Sequence, residues 1–174
     1  MEREELLAQL EQLHEMSYGW ALNCCSSNPS DAEDILQTVY KKILEGRARY
    51  DGRAALKTWL FAVIRNTAVE ERRRSWLRGL RLDGYAKERQ HDFQPAERGA
   101  GLENEERLAA FRGAIERLPR RQAEILHLVF YQDLTVEAAA GVMGVSVGSA
   151  RTHYDRGKQR LGEWLKKLEN FDEY

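Results

Sequence analysis

Leu134-Thr135-Val136-Glu137-Ala138-Ala139-Ala140-Gly141-Val142-Met143-Gly144-Val145-Ser146 is the stretch whose reading decides the fold. Thr135 is a good N-cap, so a short helix is expected to start just after it. Ala140 is small where two helices must cross closely. Gly144 falls where the chain leaves that helix, a place that often needs the positive φ glycine allows cheaply. Val145 can plug the angle between the helices, and Ser146 caps a second helix running from Val147 to about Leu161. This is the spacing of a helix-turn-helix whose second helix enters the major groove of DNA. Near the start of that second helix Ser149, Arg151, Thr152, Asp155 and Arg156 face outward. Arg bonds two guanine acceptors at once, Thr reaches a base or a thymine methyl, and Asp accepts from cytosine. Lys158 and Arg160 suit phosphates.

Helical patterning continues on both sides. Leu108, Phe111, Ile115 and Leu118 mark one amphipathic helix upstream. Pro119 fits the first turn of the next, which carries Ile125, Leu126, Leu128, Val129 and Phe130. Leu161, Trp164, Leu165 and Leu168 form a terminal apolar stripe. Further upstream, 75–101 holds Gly79, Gly84, Pro95 and Gly99 without a clear apolar period and reads as a linker, with some helix near its start. Its approach is basic (Arg72, Arg73, Arg74, Arg78, Arg81), and the balance turns acidic from Asp83 to Glu106.

The N-terminal part reads as three helices. Residues 1–26 form one amphipathic helix ended by Asn28-Pro29-Ser30. Ser30 is placed to cap the next helix, with Glu33 at the capping-box position. That helix buries Ile35, Leu36, Val39, Tyr40, Ile43 and Leu44, and Gly46 ends the stripe. A turn at Asp51-Gly52 leads to a third helix from about Ala55 to Arg74, burying Leu56, Leu60, Phe61, Val63 and Ile64. With no strand pattern and no internal repeat, the expected fold is all-α: two small helical modules, 1–76 and 104–174, joined by a flexible linker over 77–103.

Composition bounds the function. Hydrophobic residues are 43% and charged residues 32% of the chain, which suits a folded helical protein rather than a disordered one. No apolar run approaches the roughly 20 residues of a membrane span. The charged, amphipathic N-terminus lacks a signal-peptide core, so a cytoplasmic protein is expected. Cys24 and Cys25 are adjacent, which disfavours a disulfide between them, and no further cysteine completes a metal site. They read as small residues packed in a helix. Net charge is −1, so nucleic-acid binding requires basic residues sorted into patches. His14, His91, His127 and His153 are scattered. With no carboxylate cluster, phosphate loop or nucleophile–base pair, neither an enzyme nor a cofactor is expected.

A lone helix-turn-helix fits many regulators, and the first module narrows the choice. Asp31-Ala32-Glu33-Asp34-Ile35-Leu36-Gln37-Thr38-Val39-Tyr40, then Tyr50-Asp51-Gly52, then Leu56-Lys57-Thr58-Trp59-Leu60-Phe61-Ala62-Val63-Ile64-Arg65-Asn66, then Arg72-Arg73-Arg74, closely resemble a bacterial sigma factor of the extracytoplasmic-function (ECF) type. Leu118-Pro119-Arg120-Arg121-Gln122 and the helix-turn-helix are similar to that family's region four. The resemblance covers about residues 1–165 and implies a protein that binds core RNA polymerase, recognises a promoter and helps to melt it.

By that resemblance, Asp34, Gln37, Thr38 and Lys41 dock on the clamp helices of the largest polymerase subunit, and region four meets the flap. Gly46, Tyr50, Lys57, Arg65, Asn66, Arg72, Arg73 and Arg74 engage the minus-ten element, with a flipped base held between the Gly46–Gly52 loop and Asn66. An aromatic ring, an amide and Arg side chains suit an unstacked base and its phosphates. Trp59, flanked by Leu60 and Phe61, is assigned to the core. Ser149, Arg151, Thr152, Asp155, Arg156 and Lys158 serve the minus-thirty-five element. An anti-sigma protein covering both DNA-binding faces is the expected further partner.

The chain departs from the family pattern at several positions. Thr38 replaces a common acidic residue, and His153 a frequent Arg. Ala139 and Ala150 stand where Ile and Val are usual, leaving the helix-turn-helix core either underpacked or filled from elsewhere. Asp155, unusual at a base-facing position, either sets a distinctive promoter sequence or pairs with Arg151 or Arg156. A stand-alone DNA-binding regulator remains the competing reading, but it leaves the Asp34–Gln37 and Trp59–Asn66 motifs unexplained.

Overall fold

A computed structural model describes residues 3–82, 115 and 117–169. Among them every regular element is a helix, as the patterning predicts, and the chain divides into two units. The first unit holds α1 (Arg3–Gln12), α2 (His14–Cys24), α3 (Pro29–Leu44) and α4 (Leu56–Leu82). The second holds α5 (Arg120–Phe130), α6 (Val136–Met143) and α7 (Val147–Glu169). The acidic stretch expected in the linker, and Leu108 and Phe111 of the helix expected before α5, lie outside the described residues; Ile115 of that helix is helical and buried.

In the first unit α2 packs on both α3 and α4, and α3 on α4. Trp20 is the centre of this core. It is fully buried, its indole N–H donates to the Phe61 carbonyl at 3.0 Å, and its ring stacks on Phe61 with centroids 6.0 Å apart. Leu10, Ala32, Ile35, Leu36, Val39, Ile43, Leu60 and Ile64 are buried in the same unit. Lys42 on α3 donates to Thr67 Oγ1 at 3.2 Å and to Glu70 Oε2 at 3.1 Å on α4, tying the two helices at their solvent edge.

The boundaries differ from the expected ones for local reasons. The single helix expected over 1–26 is divided at Leu13, a turn residue that nonetheless keeps helical φ and ψ. The cap of α3 is Asn28 rather than Ser30: its Oδ1 accepts the Asp31 N–H at 3.2 Å, and Pro29 takes the first helical position, where no N–H is needed. Leu44 and Val63 are not core residues: Leu44 is exposed and Val63 half-buried. Helix α4 continues to Leu82, past the expected end of the first module at 76. Ion pairs along its surface, Glu70 with Arg74 at 2.6 Å and Glu71 with Arg78 at 2.7 Å, support this extension.

The adjacent cysteines are free thiols. Cys24 is buried, and burial together with the charge of Asp31 pushes the Cys25 thiol up to about 11. Cys25 is therefore a neutral thiol at pH 7, in line with a packing role rather than a reactive one.

In the second unit all three helices pack on one another. Pro119 is the N-cap of α5 rather than part of its first turn, with extended backbone (ψ 136°). Ala139 and Ala150 are both fully buried, among Ile125, Leu126, Leu128, Val142 and Met143, each at most 1% exposed. A close approach occurs at Gly157 on α7. A Cβ there would lie 3.1 Å from Leu126 Cδ1 and 3.3 Å from Gln122 Cβ, so α5 and α7 touch backbone to side chain. Gly162, one turn on, has open space around it.

These two glycines should respond to mutation with opposite sign. Gly157→Val is expected to lower stability by about 1–3 kcal/mol through overpacking. Gly162→Ala is expected to raise it by about 0.5–1 kcal/mol, because Gly costs backbone entropy inside a helix. Chemical denaturation followed by circular dichroism checks both.

Candidate nucleic-acid interface

The helix-turn-helix forms as its sequence requires. Thr135 Oγ1 accepts the Ala138 N–H at 3.1 Å and starts α6. Gly144 adopts the left-handed conformation, φ 64° and ψ 39°, and closes it. Ser146 Oγ accepts the Ser149 N–H at 3.1 Å and starts α7. From the preceding helix, Arg121 donates to the Met143 carbonyl at 3.3 Å and satisfies one of the carbonyls that the end of α6 leaves unpaired. Helix α7 is longer than expected, running unbroken to Glu169.

Ala150, Gly157 and Leu161 form the buried side of α7. The candidate DNA-reading residues Ser149, Arg151, Thr152, Asp155, Arg156 and Lys158 are all exposed, the middle four on the opposite face and Ser149 and Lys158 on its flanks. Their local contacts differ. Ser149 Oγ accepts from the Ser146 hydroxyl at 2.9 Å, and Thr152 Oγ1 donates to the Gly148 carbonyl at 3.0 Å. Lys158 Nζ lies 5.0 Å from the Tyr154 ring centroid, and that ring is 6.2 Å from Phe130. Arg151 does not pair with Asp155. Its Nη2 donates to Glu137 Oε1 on α6 at 2.8 Å. The Arg151 hydrogen bond holds the Glu137 carboxyl below the usual carboxylate range. Arg160 is not simply a phosphate ligand in waiting, since Nη1 donates to Gln122 Oε1 at 3.4 Å. His153, in place of a frequent Arg, is half-buried.

In the first unit the candidate residues separate into two groups. Asp34, Gln37, Thr38 and Lys41 are exposed together on one face of α3, at the three- and four-residue spacing of neighbouring turns. The loop between α3 and α4 opens at Gly46, with φ 69°, where the Arg49 Nε–H donates to the Gly46 carbonyl at 3.1 Å. Tyr50 is half-buried, its hydroxyl donating to the Ala54 carbonyl at 2.6 Å and its ring tilted on Trp59 with centroids 5.4 Å apart. Trp59 is thus half-buried rather than core. Trp59, Asn66 and Arg73 recur at seven-residue intervals and share one stripe of α4, with Asn66 and Arg73 exposed.

Other members of the expected minus-ten set have structural partners. Arg72 Nη2 donates to the Cys24 carbonyl at 2.7 Å, capping the end of α2. Arg74 shares Glu70 and Glu71 at 2.6 and 3.9 Å. The Glu70 carboxyl is lowered by its hydrogen bond from Lys42 and by the charges of Lys42 and Arg74. Arg65 is buried at 8% exposure, and half-buried Lys57 places Nζ 5.7 Å from the Phe61 ring centroid. The basic run therefore contributes less open positive charge than its composition suggests.

Glu137 and Trp59 are the residues at these faces to which sequence reasoning gave no surface role. The Glu137–Arg151 pair spans fourteen positions and two helices, so no periodicity within one helix reveals it. The seven-residue interval from Trp59 to Asn66 was a readable signal. Among the described residues there is no group of three His, Cys, Asp or Glu side chains able to hold a metal ion. No described helix is long and apolar enough to cross a membrane.

Comparison with known proteins gives a consistent answer for both units. Residues 10–78 match the family model for sigma-70 region 2, and residues 108–161 the model for sigma-70 region 4. The chain is 29% identical over 164 residues to the ECF RNA polymerase sigma factor EcfG of Rhodopseudomonas palustris, covering 94% of this chain and 84% of that one. It is 28% identical over 143 residues to the RNA polymerase sigma factor CarQ of Myxococcus xanthus, covering 82% and 79% respectively. Among solved structures it is similar to the sigma factor RpoE of Bartonella quintana in complex with the anti-sigma factor NepR. That match has a TM-score of 0.74 at 26% identity and covers 94% of this chain and 98% of the other.

Near the end of α5, the second unit carries a titratable group with a consequence for stability. The His127 ring stacks on Tyr131 with centroids 5.2 Å apart and meets the Gln132 side-chain amide at 3.3 Å. Burial pushes its imidazole down to about 4. The unfolded chain takes up this proton near pH 6.5, while the folded chain resists it until about pH 4. The stability that neutral His127 contributes is therefore fully present above about pH 6.5 and is expected to be lost progressively between pH 6.5 and 4. Denaturant midpoints measured across that window should fall for the native chain and flatten in His127→Gln.

Proposed function

The chain belongs to the ECF group of the sigma-70 family, and from that premise we propose a division of promoter recognition between its two units. As a sigma factor it binds core RNA polymerase and directs promoter-specific transcription initiation. In the proposed division, α7 reads the duplex minus-thirty-five element through Ser149, Arg151, Thr152, Asp155, Arg156 and Lys158. The observation that carries this reading is that Arg151, Thr152, Asp155 and Arg156 share the exposed face of a helix whose other face is buried, with exposed Ser149 and Lys158 on its two flanks.

The first unit takes the minus-ten element. The stripe of Trp59, Asn66 and Arg73, with Tyr50 set against Trp59, offers aromatic, amide and cationic groups along roughly 20 Å of helix at 1.5 Å per residue. That combination suits a short run of unstacked bases and its phosphates. Gly46 shapes the loop and Lys57 flanks the stripe. Arg65, Arg72 and Arg74, engaged or buried within the unit, act by positioning it. Asp34, Gln37, Thr38 and Lys41 form the docking face for the polymerase clamp helices. The protein works in the cytoplasm and performs no catalytic step of its own. An anti-sigma protein controls it, a reading supported by the complex in which the Bartonella quintana relative was solved.

Reconstituted transcription tests the proposal. Run-off reactions on a genomic library with core polymerase should give start sites sharing two upstream elements. Failure to initiate at any promoter sinks it. Within an active holoenzyme, joint charge reversal by Asp34→Arg and Lys41→Glu should weaken competition for core polymerase by about tenfold, or roughly 1.4 kcal/mol. Asn66→Ala should instead reduce open-complex formation while leaving core binding intact.

A further inference from the structure

We propose that Glu137 is a specificity-determining positioning residue of the helix-turn-helix. Its carboxylate, reaching from α6 to α7, aims the Arg151 guanidinium and keeps it for base edges rather than for phosphates. The inference rests on the assignment of α7 as the promoter-reading helix.

Glu137 is the second residue of α6, just after the Thr135 cap, so its backbone is fixed by the hydrogen bond that starts the helix. From there Oε1 accepts the Arg151 Nη2–H at 2.8 Å. The side chains are 55% and 65% exposed, so the pair adds at most about 1 kcal/mol to folding. Its main effect is on where Arg151 points. The other candidate readers with contacts are held locally: Ser149 by its helix cap, Thr152 by the Gly148 carbonyl and Lys158 by the Tyr154 ring. Arg151 is held from another helix.

A free arginine carries about 2 kcal/mol of rotamer entropy and reaches any nearby phosphate. Anchored at one nitrogen, Arg151 keeps its remaining donors in a fixed plane, as bidentate recognition of guanine requires. The partner's charge has a second consequence. The pair is neutral overall, so on random DNA, where phosphate contact and counterion release supply the affinity, Arg151 contributes little. A carboxylate beside the DNA also repels phosphates and penalises a sliding, backbone-bound mode. Glu137 thereby lowers non-specific affinity and sharpens discrimination.

The test uses reconstituted holoenzyme and a promoter pool randomised across the upstream element, with native protein, Glu137→Ala, Glu137→Gln, Arg151→Ala and the Glu137→Ala/Arg151→Ala double variant. Both Glu137 replacements are tolerated in an exposed first helical turn, and melting curves verify folding. Native protein should enrich a defined element, and Arg151→Ala should relax it by about tenfold at one or two base pairs. Glu137→Ala should relax the same base pairs about three- to tenfold, raise affinity for scrambled duplex and steepen the salt dependence of that binding by about one unit of log–log slope. Glu137→Gln, which keeps an acceptor but loses the charge, should fall between. The double variant should be no worse than Arg151→Ala alone. Wild-type preference and salt slope in Glu137→Ala, alongside an altered Arg151→Ala, would overturn the inference while leaving α7 as the reader. If the native protein enriches no upstream element, or Arg151→Ala changes nothing, the reading of Arg151 fails first and the inference falls with it.

Discussion

At Gly157 helices α5 and α7 approach so closely that a Cβ would lie 3.1 Å from Leu126 and 3.3 Å from Gln122. Leu126, the nearest side chain, is fully buried, so a larger residue at 157 must displace packed core atoms. This contact fixes the rotation of α7 about its own axis. With Gly157, Ala150 and Leu161 turned inward, Arg151, Thr152, Asp155 and Arg156 must turn outward. The caps at Thr135 and Ser146 and the left-handed Gly144 set where α7 begins and at what angle. The missing side chain at Gly157 sets which face it shows.

Trp20 does the corresponding work in the first unit. Its hydrogen bond and ring contact with Phe61 hold α2 on α4. Arg72 then closes the end of α2 through the Cys24 carbonyl. The second unit repeats the device, with Arg121 on the Met143 carbonyl. In both units an arginine that would look like a nucleic-acid contact in a bare sequence instead satisfies helix-end carbonyls. The same holds for Arg74, shared between two glutamates. A chain of net charge −1 thus leaves few open cations at its candidate DNA faces, and recognition depends on how each is aimed.

The sequence by itself determined the helical class, the helix-turn-helix and the outward residues of α7. These follow from caps, glycine and apolar spacing, which act over a few neighbouring residues. Thr135, Gly144 and Ser146 all behave as their side chains dictate. It also marked the exposed face of α3, because a period of three to four residues needs no distant partner. It misplaced the cap of α3 at Ser30, because Ser30 and Asn28 both carry a side-chain oxygen able to cap and the backbone geometry selects Asn28, with Pro29 at the first helical position. Only the tertiary structure decided which charged residues are open and which are engaged. Arg72, Arg74 and Arg151 differ by partners 48, 4 and 14 positions away, and the two distant ones lie on other helices. It also decided that Trp59 meets Tyr50 and that Gly157 is a contact rather than a weak spot in a helix. Periodicity reports what one helix does, whereas an ion pair or a close crossing is a property of two.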